Sequence, residues 1–240
     1  MIKLYSFILV ATIIALKAGV FGQKSINWSG YTWYLKDAIS QGPGPNRWSS
    51  DNVWLDSQNN LHLKIVYSNG IWSCAELYTT EKFGFGTYQW FVEGQIDKFD
   101  PNIVLGFFTY GGTDQENEID IEMAKWGQTS SQAYNLFYTV YPKKVGLPTN
   151  SSGTKISLSG TYTTHRFAWS SKQVAWESLH GFTDSNTNQF FQYTTPSNYQ
   201  QYMPVANVPL HINLWLFQGK QPMDGKEVEI VVHSFKYTKV

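Results

Sequence analysis

The sequence has little charge and almost no cysteine. Its 240 residues include 18 basic and 18 acidic side chains, so the formal net charge is zero, and only 15% of the residues are charged. Nucleic acids and anionic membrane surfaces select strongly basic proteins, so this composition indicates neither as a partner. The one cysteine, Cys74, can form neither an internal disulfide nor a Cys/His metal cluster. We expect Cys74 to be a small, buried apolar residue.

Long hydrophobic runs are absent as well. The stretch from Leu4 to Leu16 is uncharged and spans 13 residues, short of the ~20 that a membrane-spanning helix needs. It follows Lys3, a pattern typical of a secretory signal peptide. An uncleaved anchor is the alternative, although Lys17 interrupts the far end of the run. We expect residues 1–22 to be a signal peptide and residues 23–240 to be one secreted domain, with no membrane contact after cleavage.

Helical periodicity is scarce, whereas alternation of apolar and polar residues is frequent. "LHLKIV" (Leu61–Val66) alternates in this way, and aromatic residues make up 17% of the chain. Turn signals such as "SNG" at 68–70 and "NSSG" at 150–153 separate the apolar segments. Other segments rich in β-branched and aromatic residues, which favour strands, are 86–96, 102–110, 134–141, 210–217 and 227–237. The pattern predicts an all-β sandwich or barrel.

One predicted strand carries three acids in alternation. In "EIDIE", residues 118–122, Glu118, Asp120 and Glu122 are separated by two isoleucines. Successive side chains of a strand point to opposite faces, so the three acids share one face. A solvated sheet face is the ordinary interpretation. However, strands are depleted in Asp and Glu, and crowded carboxylates repel one another, so the pattern has an energetic cost that a function would explain.

Glycoside hydrolysis is the functional interpretation of this spacing. A retaining glycosidase needs two carboxyl groups ~5–5.5 Å apart, one as nucleophile and one as acid/base. The Cα atoms of Glu118 and Glu122 are roughly 13 Å apart in a strand, and side chains that lean together close most of that gap. Asp120 can hydrogen-bond the nucleophile, and mutual repulsion raises the pKa of one acid. Ca²⁺ is disfavoured because ligands along a strand cannot wrap around it, so we expect no metal and no cofactor.

The motif "EIDIE" resembles the Glu-x-Asp-x-Glu signature of glycoside hydrolase family 16, which includes lichenases and laminarinases. Four further segments resemble the same family in the same order. They are "CAELYTTEKFGFGTYQW" (74–90), "GFFTYGG" (106–112), "THRFAW" (164–169) and "INLWLFQG" (212–219). The resemblance covers about residues 28–240. It implies a curved two-sheet jelly roll with a glucan cleft on the concave face.

The resemblance also implies roles for individual residues. Glu118 would be the nucleophile, Asp120 the assisting acid and Glu122 the acid/base. Flat aromatic faces suit the C–H patches of sugar rings, and a few polar groups fix their orientation. The implied sugar contacts are Tyr110, Asn213 and Trp215, with Asn135 and Gln89 as weaker matches.

Two departures from the family pattern concern the substrate. Lichenases of bacilli carry a Trp two residues before the nucleophile, whereas this chain has Glu116 there. We expect the change to remove an aromatic platform and to add a charge near the site. Laminarinase-like members often insert a residue to read Glu-x-Asp-x-x-Glu, but here Met123 follows Glu122 without an insertion. This favours a lichenase-like strand and leaves the glycosidic linkage open.

Other conspicuous side chains are expected to be structural. We expect Trp126 to pack in the core and His165 to be a structural hydrogen-bonding residue. Gln89 and Trp90 are adjacent in a strand, so they cannot both face the cleft. We therefore assign Gln89 to the cleft and Trp90 to the core.

The expected function is that of a retaining endo-β-glucanase acting on β-1,3-1,4- or β-1,3-linked glucan. The expected partner is the polysaccharide, and we expect the protein to be a monomer. Two alternatives stay open. A cell-wall transglycosylase would use the same acids and would differ in the chain lengths of its products. A glucan-binding lectin on the same fold would have no need of the crowded acids.

The short apolar run behind Lys3 predicts that residues 1–22 are removed during export. N-terminal sequencing of protein recovered from the medium of a secreting host should therefore begin near residue 23. A secreted chain that still begins with Met1 would show the prediction to be wrong.

Overall fold

The computed structural model describes residues 23–240, and the predicted signal peptide lies outside this range. The described residues form strands, turns and four short 3₁₀ helices, at Ser50–Asn52, Ile96–Lys98, Ser197–Tyr202 and Phe217–Gly219. Within this range no helix has the length and apolar character needed to cross a membrane. The prediction of an all-β fold is confirmed.

Eight antiparallel strands form the first sheet. In spatial order they are β1 (Ser25–Trp28), β2 (Tyr31–Leu35), β8 (Ala75–Thr79), β17 (Leu210–Leu216), β10 (Ile103–Thr109), β11 (Ile119–Ala124), β12 (Leu136–Val140) and β13 (Asn150–Thr154). Neighbours such as β8 and β17 are far apart in sequence, because the chain crosses between the two sheets several times.

The second sheet packs against the first, as a jelly-roll sandwich requires. Its strands are, in order, β16 (Gln189–Thr194), β15 (Val174–His180), β14 (Tyr162–Trp169), β9 (Gly86–Glu93), β18 (Val228–Lys239), β6 (Leu61–Ser68) and β5 (Val53–Leu55), with β7 (Ile71–Ser73) paired to β6. A separate hairpin consists of β3 (Ala38–Gln41) and β4 (Asn46–Trp48).

The core between the sheets follows the sequence alternation. Leu61, Leu63 and Ile65 of β6 are fully buried. Trp90 lies in the core against Phe107 of the opposite sheet, with ring centroids 5.1 Å apart. The predicted core positions of β6 and Trp90 are therefore confirmed.

Two further structural expectations are confirmed. Cys74 is a buried, free cysteine, and burial raises the pKa of its thiol to about 12. His165 is buried between Ser178 Oγ, 2.7 Å from Nδ1, and Thr163 Oγ1, 2.9 Å from Nε2. Burial lowers the pKa of His165 to about 3, so this imidazole is a neutral structural group.

Gln89 does not lie in the concave cleft, which corrects its assignment as a sugar contact. Its strand belongs to the second sheet, where the face opposite the core is the outer surface of the sandwich. The Gln89 amide accepts from Arg166 Nη1 at 2.9 Å and donates to Asp184 Oδ1 at 2.8 Å. Arg166 also donates to Glu177 Oε2 and to the carbonyl oxygen of Ser185. This network anchors the loop between β15 and β16.

Asn135 is also corrected, because it is a structural clamp just before β12. Its Oδ1 accepts from the Ile156 backbone N–H at 2.7 Å. Its Nδ2 donates to the carbonyl oxygens of Ile156 and Asp97 at 3.1 and 3.2 Å. The side chain is buried, and the protein itself occupies its amide, so Asn135 is not free to contact a sugar.

Replacing Asn135 by Ala should destabilise the fold, because it leaves buried backbone groups of residues 97 and 156 unpaired. Each such group costs roughly 1–3 kcal/mol, so we expect a loss of at least ~2 kcal/mol in the free energy of unfolding. Urea denaturation measures it. Asn198→Ala, at an exposed position, is the control and should change stability by less than ~0.5 kcal/mol. Equal stability of the two variants would contradict the clamp.

Candidate active site

Three carboxylates form a row on the concave face of the first sheet. The core-facing residues of β11, Ile119, Ile121 and Met123, are fully buried between the two sheets. The intervening acids of 118–122 therefore point to the opposite face, as the alternation predicts. The pairing of β11 with β10 on one side and β12 on the other holds the row in the middle of the sheet.

The strands on one side of the row bring Asn213 towards Glu122. Gly106 of β10 lies opposite Glu122, and Asn213 of β17 lies opposite Gly106. A β-carbon at residue 106 would lie 2.6 Å from Asn213 Oδ1. The glycine therefore leaves the room that the Asn213 side chain occupies beside the acid row.

On the other side of the row, β12 contributes Phe137 and Thr139. Phe137 lies opposite Glu122, and Thr139 lies opposite Asp120. Tyr141 follows on the same face, and its backbone N–H donates to the Glu118 carbonyl oxygen at 2.8 Å. Sequence reasoning did not find Tyr141, because the pairing partner of Glu118 cannot be identified before the strand order is known.

A cavity of about 550 Å³ lies over the acid row. The three predicted acids line it, and so do three of the predicted sugar contacts, Tyr110, Asn213 and Trp215. Tyr110 donates from its hydroxyl to Asp114 Oδ1 at 2.6 Å. The structure therefore brings six of the eight predicted site residues together, and the other two are Gln89 and Asn135.

The cleft is strongly acidic. Besides the acid row, Glu76 and Asp114 line it, whereas Lys36 is the one lysine or arginine among the lining residues in the described part of the chain. Lys36 Nζ is 2.7 Å from Glu76 Oε2 and donates to a backbone carbonyl of the β3–β4 hairpin. Glu76 Oε1 also contacts His211 Nδ1 at 3.1 Å. Sequence reasoning missed this cluster because its residues come from separate segments.

The acid row has raised pKa values. Burial raises the pKa of Glu118 to about 7, and the charge of Asp114 adds to this effect. Burial and then the charge of Glu118 raise the pKa of Glu122 to about 8. Burial, followed by the charges of both glutamates, raises the pKa of Asp120 well above its usual range, and a hydrogen bond with Glu118 favours a proton on Asp120. A protonated Asp120 donates to Glu118, which lowers the pKa of Glu118.

Proteins of known identity share this architecture, although no family model matches the chain. A β-glucanase of Paenibacillus macerans is 28% identical over 181 residues, which are 73% of each protein. The structure of a Bacillus licheniformis β-glucanase matches with a TM-score of 0.64 and 22% identity, over 92% of this chain and 100% of that one. A family 16 glycoside hydrolase of Bacteroides ovatus, solved with a G4G4G3G product, has a TM-score of 0.64 and 13% identity, over 86% of this chain and 94% of that one.

The chain has the fold of the family 16 β-glucanases. The resemblance inferred from the five sequence motifs is confirmed, and so is the curved two-sheet jelly roll that it implied.

Glu116, at the position where lichenases of bacilli have Trp, does not line the cavity over the acid row. Its carboxylate accepts from the backbone N–H of Val145 at 3.4 Å and from Asn117 Nδ2 at 3.5 Å. The charge of Glu116 is therefore near the site, as expected, but outside the cavity. The backbone at Asn117 has a positive φ of 52°, a local bend that the alternation pattern does not reveal.

Trp126 packs against the core, as expected, and is not among the residues that line the cavity over the acid row. Trp126 is half-buried and packs beside Trp215, with ring centroids 6.3 Å apart. It also contacts Phe137 and Phe217, at centroid distances of 6.0 and 5.5 Å. These rings form an aromatic cluster on the concave face, near the C-terminal end of β11. Within the cluster, 7% of the Trp215 surface remains exposed.

Replacing Glu122 by Gln should stabilise the fold at high pH. The folded-state pKa of about 8 lies above the ordinary value of 4.5, so ionisation between these values opposes folding. The variant should melt near the wild-type temperature at about pH 5 and several degrees above it at about pH 9, since ~1 kcal/mol shifts the melting temperature of a domain this size by roughly 2–4 °C.

Glu116→Gln, which lies outside the cavity, is the control and should follow the wild type at both pH values. If Glu122→Gln raised the melting temperature by the same amount at pH 5 and at pH 9, the raised pKa of Glu122 would be contradicted.

Proposed function

We propose that this protein is a secreted, monomeric, retaining endo-β-glucanase. The observation that carries the proposal is the row of Glu118, Asp120 and Glu122 on the floor of an open cleft, where two glutamates flank a buried acid. The similarity to β-glucanases over most of the chain supports the same activity. A cleft that crosses the sheet suits cleavage within a polymer.

The two glutamates divide the chemistry of the first step. Ionised Glu118 attacks the anomeric carbon and forms a glycosyl ester, while protonated Glu122 transfers its proton to the departing glycosidic oxygen. The surroundings of the two glutamates support this division. The hydrogen bond from Asp120 lowers the pKa of Glu118 and so favours its ionised form, whereas burial and the charge of Glu118 raise the pKa of Glu122 and so favour a proton there. Asp120 donates a hydrogen bond to Glu118 and aligns its carboxylate.

The second step restores the enzyme. Glu122, now ionised, removes a proton from water, and the water oxygen attacks the anomeric carbon of the ester. The bond to Glu118 breaks and leaves that carboxylate ionised again, while Glu122 has regained its proton. Two displacements at the same carbon retain the β configuration.

The charge of the cleft supports a neutral polysaccharide as the substrate. Five acidic side chains line it, two of which, Asp120 and Glu122, carry protons at the start of the reaction. The lysine beside them is already paired with Glu76. Sulfated or uronic-acid polymers would meet like charges in this cleft. We propose β-1,3-1,4- or β-1,3-linked glucan, with Tyr110 and Trp215 as aromatic contacts and Asn213 as a polar contact. Activity on a panel of these glucans, xyloglucan and agar tests the substrate class.

Azide should distinguish the two glutamates in assays with an activated aryl β-glycoside. Glu122→Ala should still form the glycosyl-enzyme, because this leaving group needs no proton, and azide should then yield the β-glycosyl azide. Glu118→Ala lacks the first displacement, so direct attack by azide should yield the α-azide. On polymer both variants should lose about 10²-fold activity or more. NMR of the glycosyl azides determines the configuration at their anomeric carbon.

Glu116→Gln is the matched control and should hydrolyse glucan at the wild-type rate without a response to azide. If Glu122→Ala gave the α product and Glu118→Ala the β product, the two roles would be reversed. If the wild type only bound glucan and hydrolysed none, a lectin would be the better description.

A further inference from the structure

Tyr141 is held firmly beside Glu118. Its backbone N–H donates to the Glu118 carbonyl oxygen at 2.8 Å, and the N–H of Asn117 donates to the carbonyl of Pro142 at 2.8 Å. These two bonds flank the first acid of the row. Because side chains alternate along β12, Tyr141 shares the concave face with Phe137 and Thr139, and its ring lines the cleft.

The Tyr141 hydroxyl makes no hydrogen bond to any residue between 23 and 240, although the side chain is half-buried. By contrast, the hydroxyl of Tyr110, the other tyrosine of the cleft, is bound to Asp114. Burial raises the pKa of Tyr141, and the charges of Asp120, Glu122 and then Glu118 raise it further. The phenol therefore stays protonated, and it is an O–H donor in the same cavity as the three acids.

Ionised acids of the row cannot donate a hydrogen bond to a sugar oxygen, whereas the Tyr141 hydroxyl can. At the working pH one or more of the carboxyl groups are ionised, so they accept hydrogen bonds and repel sugar oxygens that present lone pairs. A neutral phenol donates to such an oxygen without adding charge.

We propose that Tyr141 contacts the substrate, its hydroxyl donating a hydrogen bond to an oxygen of the sugar unit that Glu118 attacks. This inference rests on the proposed function, and it adds a residue to the catalytic set that neither the motif nor the pairing of the acids contains. The contact lies at the cleavage point and not at a distant subsite, because Tyr141 is the residue that pairs with Glu118.

Tyr141→Phe keeps the ring and removes the hydroxyl. On the glucan that the wild type cleaves, we expect kcat/KM to fall roughly tenfold, as the loss of one hydrogen bond to the substrate predicts. The melting temperature and both limbs of the pH profile should stay at their wild-type positions, because no protein group loses a partner. The control is Tyr162→Phe on the second sheet, at a residue that is 49% exposed, and it should keep wild-type kinetics.

Wild-type kinetics for Tyr141→Phe would overturn the proposal. So would a lower rate accompanied by a shifted pH limb, because the hydroxyl would then act through the acids and not on the sugar. A lower rate with a large fall in melting temperature would mean a structural role and would also overturn it.

Binding separates this inference from the proposed function. Tryptophan fluorescence can follow the titration of a β-1,3-1,4-glucan tetrasaccharide into Glu118→Ala and into the double variant Glu118→Ala/Tyr141→Phe. We expect several-fold weaker binding by the double variant. If the wild type hydrolysed no glucan, the proposed function would fail, yet weaker binding by the double variant would still support the contact. Equal binding by the two proteins, or no binding by either, would overturn the contact.

Discussion

The burial of Ile119, Ile121 and Met123 between the two sheets is the constraint on which the site depends. These side chains cannot leave the core without a large loss of apolar burial, so the register of β11 is held within the sheet. A slip by one residue would turn the acids into the core and the isoleucines into the cleft. Hydrophobic packing on one face of a single strand therefore sets the order and spacing of the acids on the other.

The same arrangement makes the acids costly to ionise. Burial is the main cause of the raised pKa values of Glu118, Asp120 and Glu122. Neighbouring charges add to it, from Asp114 at Glu118, from both glutamates at Asp120 and from Glu118 at Glu122. A folded protein loses stability as such groups ionise. The burial and the charge of Glu118 that make Glu122 costly to ionise also favour the proton that an acid catalyst needs. The burial of these acids therefore contributes both to the proposed acid catalysis and to the loss of folding stability at high pH.

Local patterns in the sequence predicted the strands and the acid face, because a strand alternates with period two wherever it lies. They failed where an assignment depended on which sheet a strand joins. Alternation correctly places Gln89 and Trp90 on opposite faces of β9. However, β9 belongs to the second sheet, so the face that carries Gln89 is on the outside of the sandwich and not in the cleft. Trp126 lies in the turn that follows β11, where alternation carries no information.

Sequence analysis missed several residues of the cleft for one common reason. Glu76, Lys36 and Tyr141 come from separate segments, and only the strand order places them in one cleft with the acids. The resemblance to family 16 supplied the jelly roll and the roles of the three acids, which local propensities could not have specified. It did not extend to Asn135, whose amide this chain uses to pair the backbone of residues 97 and 156.

Covalent trapping of the glycosyl-enzyme tests the central claim most directly. A 2-deoxy-2-fluoro β-glucoside oligosaccharide with a dinitrophenyl leaving group should glycosylate the enzyme and release dinitrophenolate. The fluorine slows both displacements, and the good leaving group restores the rate of the first, so the glycosyl-enzyme accumulates. The intact mass of the protein should rise by the mass of one fluorinated oligosaccharyl group per chain. Peptide mapping should place this label on Glu118. A label on Glu122, or hydrolysis of glucan with inversion and no label at all, would contradict the account.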